Sequence, residues 1–158
     1  MSTPTIPVIQ NKQPKLPTYN MHEIAFGKNF TDHMLVADYE NGEWKNVVIK
    51  PYEPIQLDPS CATLHYGQTI FEGIKAFKNE KEEVVIFRPD QNFIRFNTSA
   101  QRMQMPTVPE WLFIDGMKQL IQLERGWIPN LPECSLYIRP FMIATDPFLG
   151  VRPSQTYK

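Results

Sequence analysis

Arginine and tyrosine side chains stand at spacings that suit the binding of an anion. Tyr137 and Arg139 are separated by one residue in a strand-like segment, and side chains at positions i and i+2 of a β-strand point to the same face. A buried charge needs a partner, so the residues alone leave open whether this face is buried or meets solvent. Arg95 follows Asn92 by three positions, early in a predicted helix. Its planar guanidinium suits two parallel hydrogen bonds to a phosphate or carboxylate, although a solvent-exposed helix arginine is the simpler interpretation of this residue alone.

Other polar and aromatic residues have ordinary structural interpretations. Tyr66 presents an apolar ring and a hydroxyl that needs a partner, and core packing is the usual role of such a residue. His65 and Glu72 are of the types that form acid–base pairs, but we assign them structural roles. We expect His33 to satisfy neighbouring hydrogen bonds rather than to bind a metal.

The cysteine and glycine patterns argue against two further classes of site. Cys61 and Cys134 lie far apart, and no CxxC motif or Cys/His cluster is present, so a zinc site is not predicted. Gly67, Gly73 and Gly150 do not form a phosphate-binding GxGxxG motif. We expect them to permit turns of the backbone.

Composition and charge are those of an ordinary folded protein. The 158 residues are 42% apolar and 21% charged, with a net charge of −1. The apolar share is enough to form a hydrophobic core. The net charge gives no indication of binding to nucleic acid or to an anionic membrane. No signal peptide and no apolar run of about 20 residues is apparent. A reducing, cytoplasmic setting with free thiols is the default expectation.

The elements that must position the candidate residues are predicted from turns and periodicity. Residues 33–39 and 44–50 read as two strands joined by an Asn41-Gly42 hairpin turn. Residues 64–71 have little β-branched content and predict a short helix or turn. Residues 74–78 and 84–87 predict a second hairpin.

Helices and one further strand follow. Pro89 and Asp90 open a helix with Phe93, Phe96 and Ala100 on one face, and a second helix is predicted over residues 110–125. Its apolar stripe consists of Leu112, Met117, Leu120, Ile121 and Leu123. The segment 135–144 predicts one strand, and residues 147–158 predict a loop with no partner element after it.

Together these elements predict an α+β fold with two layers, in which helices cover one face of a mostly antiparallel sheet. Three segments are expected along the chain. Residues 1–20 form an extended, proline-containing arm, residues 21–145 a small α+β domain, and residues 146–158 a C-terminal loop.

Five segments in order resemble the branched-chain-amino-acid aminotransferases, which are pyridoxal-phosphate (PLP) enzymes of fold type IV. Together they span roughly residues 26–151, as the segments 26–35 (FGKNFTDHML), 64–78 (LHYGQTIFEGIKAFK), 87–95 (FRPDQNFIR), 135–140 (SLYIRP) and 146–151 (DPFLGV). The resemblance implies the small N-terminal domain of that family, and it implies that residues 146–158 are the start of an interdomain loop that is cut short.

The resemblance also implies roles for individual residues and for the whole protein. Arg95 matches the arginine that binds the PLP phosphate, and the matched residues of the substrate pocket are Phe26, Tyr66, Tyr137, Arg139, Leu149 and Val151. Leu149 and Val151 match a loop that reaches into the neighbouring subunit of a homodimer. The implied reaction moves the amino group of leucine, isoleucine or valine to 2-oxoglutarate, giving glutamate.

The lysine that forms a Schiff base with PLP lies, in that family, well beyond the Tyr-x-Arg strand, and the chain ends 19 positions after Arg139. We therefore expect this chain alone to be inactive and to bind PLP weakly. Two alternatives remain open at this point. One is another fold-type IV enzyme, of the D-amino-acid transaminase or aminodeoxychorismate lyase type, and the other is a non-catalytic binding module.

Overall fold

A computed structural model describes residues 5–18 and 20–158 of the chain, and only the backbone of residue 17. Seven strands are present within these ranges: β1 His33–Glu40, β2 Glu43–Pro51, β3 Thr69–Phe71, β4 Ile74–Lys78, β5 Val84–Ile86, β6 Leu136–Ile138 and β7 Phe141–Ile143. The helices are α1 Ala62–Tyr66, α2 Pro89–Arg102 and α3 Gly116–Leu123, with a π-helical segment at Trp111–Asp115 and 3₁₀ turns at Leu16–Thr18 and Arg125–Trp127.

The first hairpin is confirmed, and its turn chemistry explains its register. Asn41 and Gly42 have φ angles of 55° and 84°, the left-handed values that a two-residue hairpin turn requires and that asparagine and glycine adopt most readily. β1 pairs with β2 in antiparallel fashion. The pairing begins next to the turn, where Glu40 lies opposite Glu43, and continues to His33 opposite Pro51. On the other edge of β2, Val8 forms a parallel bridge with the fully buried Ile49, so part of the N-terminal segment lies along this hairpin.

The expectation of a short helix or turn over residues 64–71 is wrong for its second half. α1 ends at Tyr66, and Gly67 caps it at a φ of 64°, as is usual for the residue that follows a helix. Residues Thr69–Phe71 then form β3, which pairs with β7. The short segment has no strand periodicity of its own, so only its distant partner makes it a strand.

The single strand expected over residues 135–144 is also wrong, because the segment is two strands. β6 pairs with β4, whereas β7 pairs with β3, and Pro140 lies between them. Proline lacks the N–H that would continue the ladder, so the chain passes from one sheet to another there. The α+β class predicted from the sequence is confirmed, with antiparallel pairing divided among three small sheets.

The helices contribute many side chains to the main hydrophobic core, together with the strands. α2 begins at Pro89 as predicted and buries Phe96 and Ala100. The predicted second helix is present, but it begins with a π-helical turn. This turn buries three consecutive residues, Leu112, Phe113 and Ile114. The apolar stripe of a regular α-helix would not bury three residues in succession. No helix in the described part of the chain is long and apolar enough to cross a membrane.

Residues 147–158, predicted as a loop, are paired with two strands near their end. The Tyr157 backbone pairs with both Tyr39 and Ala144, and its side chain is only 2% exposed. The hydroxyl accepts a hydrogen bond from the Gln68 side chain at 3.2 Å. The segment therefore joins the first hairpin to β7 and belongs to the core.

Tyr157→Ala should test this attachment. We expect the free energy of unfolding in urea to fall by about 3–5 kcal/mol, because a large buried ring and its contacts are removed. Phe87→Ala, at an exposed aromatic residue, is the control and should change stability little. A loss from Tyr157→Ala as small as the control's would show that the segment does not contribute to the core.

Candidate active site

The turn Phe71-Glu72-Gly73, which joins β3 to β4, lies at the centre of the candidate site. The backbone N–H of Glu72 donates to the Pro140 carbonyl at 2.9 Å, which extends the β3–β7 pairing by one residue. Each of the three turn residues contacts a different predicted site residue. This turn therefore brings together groups that are far apart in the sequence.

Arg95 is fixed to this turn through Glu72. The guanidinium donates from Nε to Glu72 Oε1 at 2.9 Å and from Nη2 to Oε2 at 2.6 Å. Asn92, one helical turn earlier on α2, donates to the same Oε2 at 2.9 Å, as the i, i+3 spacing of the two residues allows. The Glu72 side chain is 8% exposed, and that of Arg95 is 65% exposed. A buried carboxylate therefore binds an arginine side chain that is mostly in contact with solvent.

The charges of this pair stabilise each other. The hydrogen bonds from Arg95 hold the pKa of Glu72 below its usual value, although burial acts in the opposite direction, and Asn92 lowers it further. The same hydrogen bonds raise the pKa of Arg95. Both groups are therefore charged near neutral pH, and the guanidinium is available to an anion.

Arg139 and Tyr137 meet on the other side of the same turn. The Tyr137 hydroxyl accepts hydrogen bonds from Arg139 Nε at 3.0 Å and Nη2 at 2.7 Å. The guanidinium also lies 4.2 Å from the centre of the Phe71 ring, a distance typical of cation–π contacts. Arg139 is exposed and Tyr137 is half-buried. The pair thus shares one face, as the i, i+2 spacing predicted, and that face meets solvent.

Gly73 is needed for close approach rather than for a special backbone angle. A Cβ atom at this position would lie 2.7 Å from the Tyr137 hydroxyl, and its φ is not positive. The expectation that Gly73 permits a turn through backbone freedom is therefore wrong. The small residue lets the tyrosine ring lie against the turn.

Phe26 extends this group toward a large cavity. Its ring packs edge-on against Tyr137 with centroids 5.3 Å apart, yet it is 79% exposed. Phe26, Tyr137 and Arg139 line a cavity of about 950 Å³ whose other walls are mostly apolar side chains from β1, β6, β7 and α3. A predominantly apolar cavity with few polar groups is typical of sites for small organic ligands.

Four predicted site residues do not line this cavity. Arg95 lies across the turn, on α2. Tyr66 ends α1, is half-exposed and has its ring near that of His65.

Leu149 and Val151 project from a loop that is closed by an ion pair between Asp146 and Arg152 at 2.8 Å. Both apolar side chains are exposed, Val151 to 89%. Within the described residues, these four side chains and the residues that line the cavity do not form one enclosed site.

His33 satisfies neighbouring hydrogen bonds, as predicted. Its Nδ1 lies 2.5 Å from Glu124 Oε1, and its Nε2 accepts from the backbone N–H of Asn11 at 2.9 Å. Glu124 also accepts from the backbone N–H of Asp32 at 3.0 Å. This buried cluster joins the N-terminal segment to β1 and the end of α3, and His33 and Glu124 also line the cavity.

Sequence reasoning identified the arginines and tyrosines but missed the residues that hold them. Phe71 beneath Arg139 and the ion pair of Glu72 with Arg95 were not predicted. A signal was present, since Asn92 and Arg95 share a helix face and Glu72 is an acidic residue in an otherwise apolar segment. Nothing in the sequence alone indicates that the two segments meet.

Gly73→Ala should disturb the site through Tyr137. The added methyl group would overlap the tyrosine hydroxyl, and we expect a loss of about 1–3 kcal/mol in the free energy of unfolding. The double variant Gly73→Ala/Tyr137→Phe removes the overlapping oxygen and should recover part of that loss. If the double variant is as unstable as the sum of its single changes, the contact does not cause the effect.

The stability contribution of Glu72 should depend on pH in a defined direction. Its folded-state pKa lies below the ordinary value of 4.5, so its contribution is present above that value and is lost as the pH falls through the folded-state pKa. Urea unfolding between about pH 7 and pH 3 should show the stability difference between the wild type and Glu72→Gln shrinking on acidification. Glu40→Gln, which removes a surface partner of Lys45, is the control. A difference for Glu72→Gln that is constant with pH would contradict the assignment.

Known proteins resemble the chain over most of its length, although no protein-family model matches it. Branched-chain-amino-acid aminotransferase 2 of Bacillus subtilis (strain 168) is 47% identical over 145 residues, which are 91% of this chain and 40% of the relative. The branched-chain-amino-acid aminotransferase of Mycolicibacterium smegmatis is 51% identical over 136 residues, or 85% of this chain and 37% of the relative. The chain thus spans about two fifths of the length of these curated relatives.

Solved structures agree with the sequence matches. The branched-chain amino acid aminotransferase from Escherichia coli superposes with a TM-score of 0.55 at 25% identity, over 78% of this chain and 39% of that one. The T.th. enzyme of the same name, complexed with N-(5'-phosphopyridoxyl)-L-glutamate, gives 0.53 at 27% identity, over the same shares. The order of segments, the α+β fold and these likenesses support the interpretation of this chain as the N-terminal part of a branched-chain-amino-acid aminotransferase of fold type IV.

Proposed function

We propose that the whole protein is a PLP-dependent transaminase that moves the amino group of leucine, isoleucine or valine to 2-oxoglutarate. This chain would supply the phosphate-binding arginine and one side of the substrate pocket. The observation that carries the proposal is the arrangement of two arginines around one turn, Arg95 through Glu72 and Arg139 over Phe71. One arginine suits the phosphate of the cofactor and the other suits the carboxylate of a substrate side chain.

The Arg95 side chain fits a phosphate ester. Its Nε and one Nη2 hydrogen are directed at Glu72, and Nη1 makes no hydrogen bond to any described residue. Free donors on an exposed guanidinium are what a dianionic phosphate requires. The T.th. relative is complexed with N-(5'-phosphopyridoxyl)-L-glutamate, which contains such a phosphate ester, and this supports a phosphate ester as the ligand of Arg95.

Arg139 would let one pocket accept two kinds of side chain. With an apolar branched side chain in place, the guanidinium can stay on the Tyr137 hydroxyl and the Phe71 ring. With glutamate or 2-oxoglutarate, it can donate to the side-chain carboxylate instead. Phe26 and the apolar cavity behind it would contact the hydrocarbon part in both cases.

The remaining predicted residues would complete the pocket from other directions. Tyr66 would form an aromatic wall beside the cofactor. Leu149 and Val151 are exposed on a loop fastened by Asp146 and Arg152, and we infer that they contact the active site of a neighbouring subunit in a homodimer. Burial against such a partner would remove their apolar surface from water. We further propose a cytoplasmic location.

In this proposal, the residues of this chain bind and orient the cofactor and the substrate, and the cofactor supplies the chemistry of amino transfer. When bound, PLP acts as the electron sink for amino transfer. Arg95 would hold its phosphate, and Phe26 and Tyr137 would limit the access of water to the reacting atoms. The lysine and the acidic residue that the reaction also needs lie, by resemblance, outside the 158 residues. This chain alone is therefore proposed to be inactive.

Arg139→Met in the complete gene product should separate the two substrates. We expect the KM for 2-oxoglutarate to rise about tenfold or more, because a charged hydrogen bond to its distal carboxylate is lost. The KM for 4-methyl-2-oxopentanoate, which has no such carboxylate, should change little. Arg102→Met, at an exposed arginine near the end of α2, is the matched control. Equal increases for both oxo acids would contradict the role of Arg139.

The isolated chain of 158 residues should show no transaminase activity. After incubation with PLP and reduction by borohydride, mass spectrometry should detect no single lysine that is labelled stoichiometrically, whereas the complete gene product should carry one cofactor on one specific lysine per chain. Activity of the isolated chain, or stoichiometric labelling of one of its lysines, would contradict the proposal.

A further inference from the structure

We propose that Glu72 is a positioning residue that aligns the Arg95 guanidinium for a phosphate monoester. The inference rests on the proposed cofactor role of Arg95 and adds a second residue to it. Glu72 does not contact the phosphate in this scheme. It fixes which edge of the guanidinium faces the ligand.

The hydrogen bonds at Glu72 leave little freedom to Arg95. Both carboxylate oxygens accept from the guanidinium, at 2.9 and 2.6 Å, and a two-point contact between planar groups fixes their relative orientation. Asn92 and the backbone N–H of Gly73 also donate to the carboxylate. Nη1 is then directed away from the turn, toward solvent.

The carboxylate itself is held by the fold. The backbone N–H of Glu72 donates to Pro140, and the neighbouring residues belong to or adjoin β3 and β4. The side chain is almost fully buried, whereas that of Arg95 is mostly exposed. An exposed arginine without this anchor would sample many rotamers, and ordering it on binding would oppose the affinity for the anion.

Alternative residues at position 72 would not reproduce this alignment. Glutamine has one acceptor oxygen, and its amide group would direct N–H donors at Asn92 or Arg95. Aspartate keeps the charge, but it is shorter by one methylene group and would draw the acceptors back from the guanidinium. The two substitutions therefore separate loss of charge from loss of reach.

The test measures phosphate-specific affinity in the complete gene product. The apoprotein is titrated with pyridoxal 5'-phosphate and with pyridoxal, which lacks the phosphate, and the ratio of the two affinities is compared among variants. We expect Glu72→Gln to lower this ratio about tenfold, by loss of aligned charged hydrogen bonds, and Glu72→Asp to lower it less. Glu40→Gln, which removes a surface ion pair, should leave it unchanged.

A double-variant comparison shows whether Glu72 acts through Arg95. In an Arg95→Met background, the further change Glu72→Gln should leave the ratio as it is. The proposal is overturned if Glu72→Gln keeps the wild-type ratio, if it weakens both ligands equally, or if it lowers the ratio as much without Arg95 as with it. Should Glu72→Gln fail to fold, Glu72→Asp carries the same comparison.

The outcomes distinguish this inference from the proposed function. If Arg95→Met leaves the ratio at the wild-type value, Arg95 does not bind the phosphate, and both proposals fail. If Arg95→Met lowers the ratio and both Glu72 variants keep it, the cofactor role of Arg95 stands and only the positioning role of Glu72 is overturned.

Discussion

The rest of the candidate site depends on the ion pair between the buried Glu72 and the exposed Arg95. A carboxylate removed from water is costly unless it is paired and hydrogen-bonded, and Arg95 with Asn92 meets that need. Because Glu72 belongs to the turn between β3 and β4, its pairing holds α2 against that turn. The same contact that satisfies the carboxylate therefore determines where the guanidinium lies.

The other contacts of the turn follow from its neighbours. The Phe71 ring makes a cation–π contact with Arg139. Because Gly73 has no side chain, Tyr137 can lie against its backbone. Two guanidinium groups thus lie near one short turn and are held in different ways, one by a buried carboxylate and one by a hydroxyl and a ring. The first is firmly aligned. The second has neutral partners and can exchange them for an anion at lower cost.

Several apolar side chains of the predicted site remain in contact with water in this chain. Phe26, Leu149 and Val151 are all mostly exposed, although burial would be favourable for each. The chain spans about two fifths of the length of its relatives, and in the proposed dimeric enzyme these side chains would be covered by cofactor, substrate or the neighbouring subunit. This chain would then form one side of a cleft.

The sequence by itself determined the features that depend on neighbouring residues. The left-handed turn at Asn41-Gly42 and the helix that begins at Pro89 arise from local backbone preferences, and both were predicted correctly. The order of motifs also identified Arg95 and Arg139 as candidates. The tertiary structure decided the pairing of β3 with β7, the break at Pro140, the burial of Tyr157 and the contact of Glu72 with Arg95. Each of these joins or separates segments through long-range pairing or packing, which periodicity along a single segment does not record.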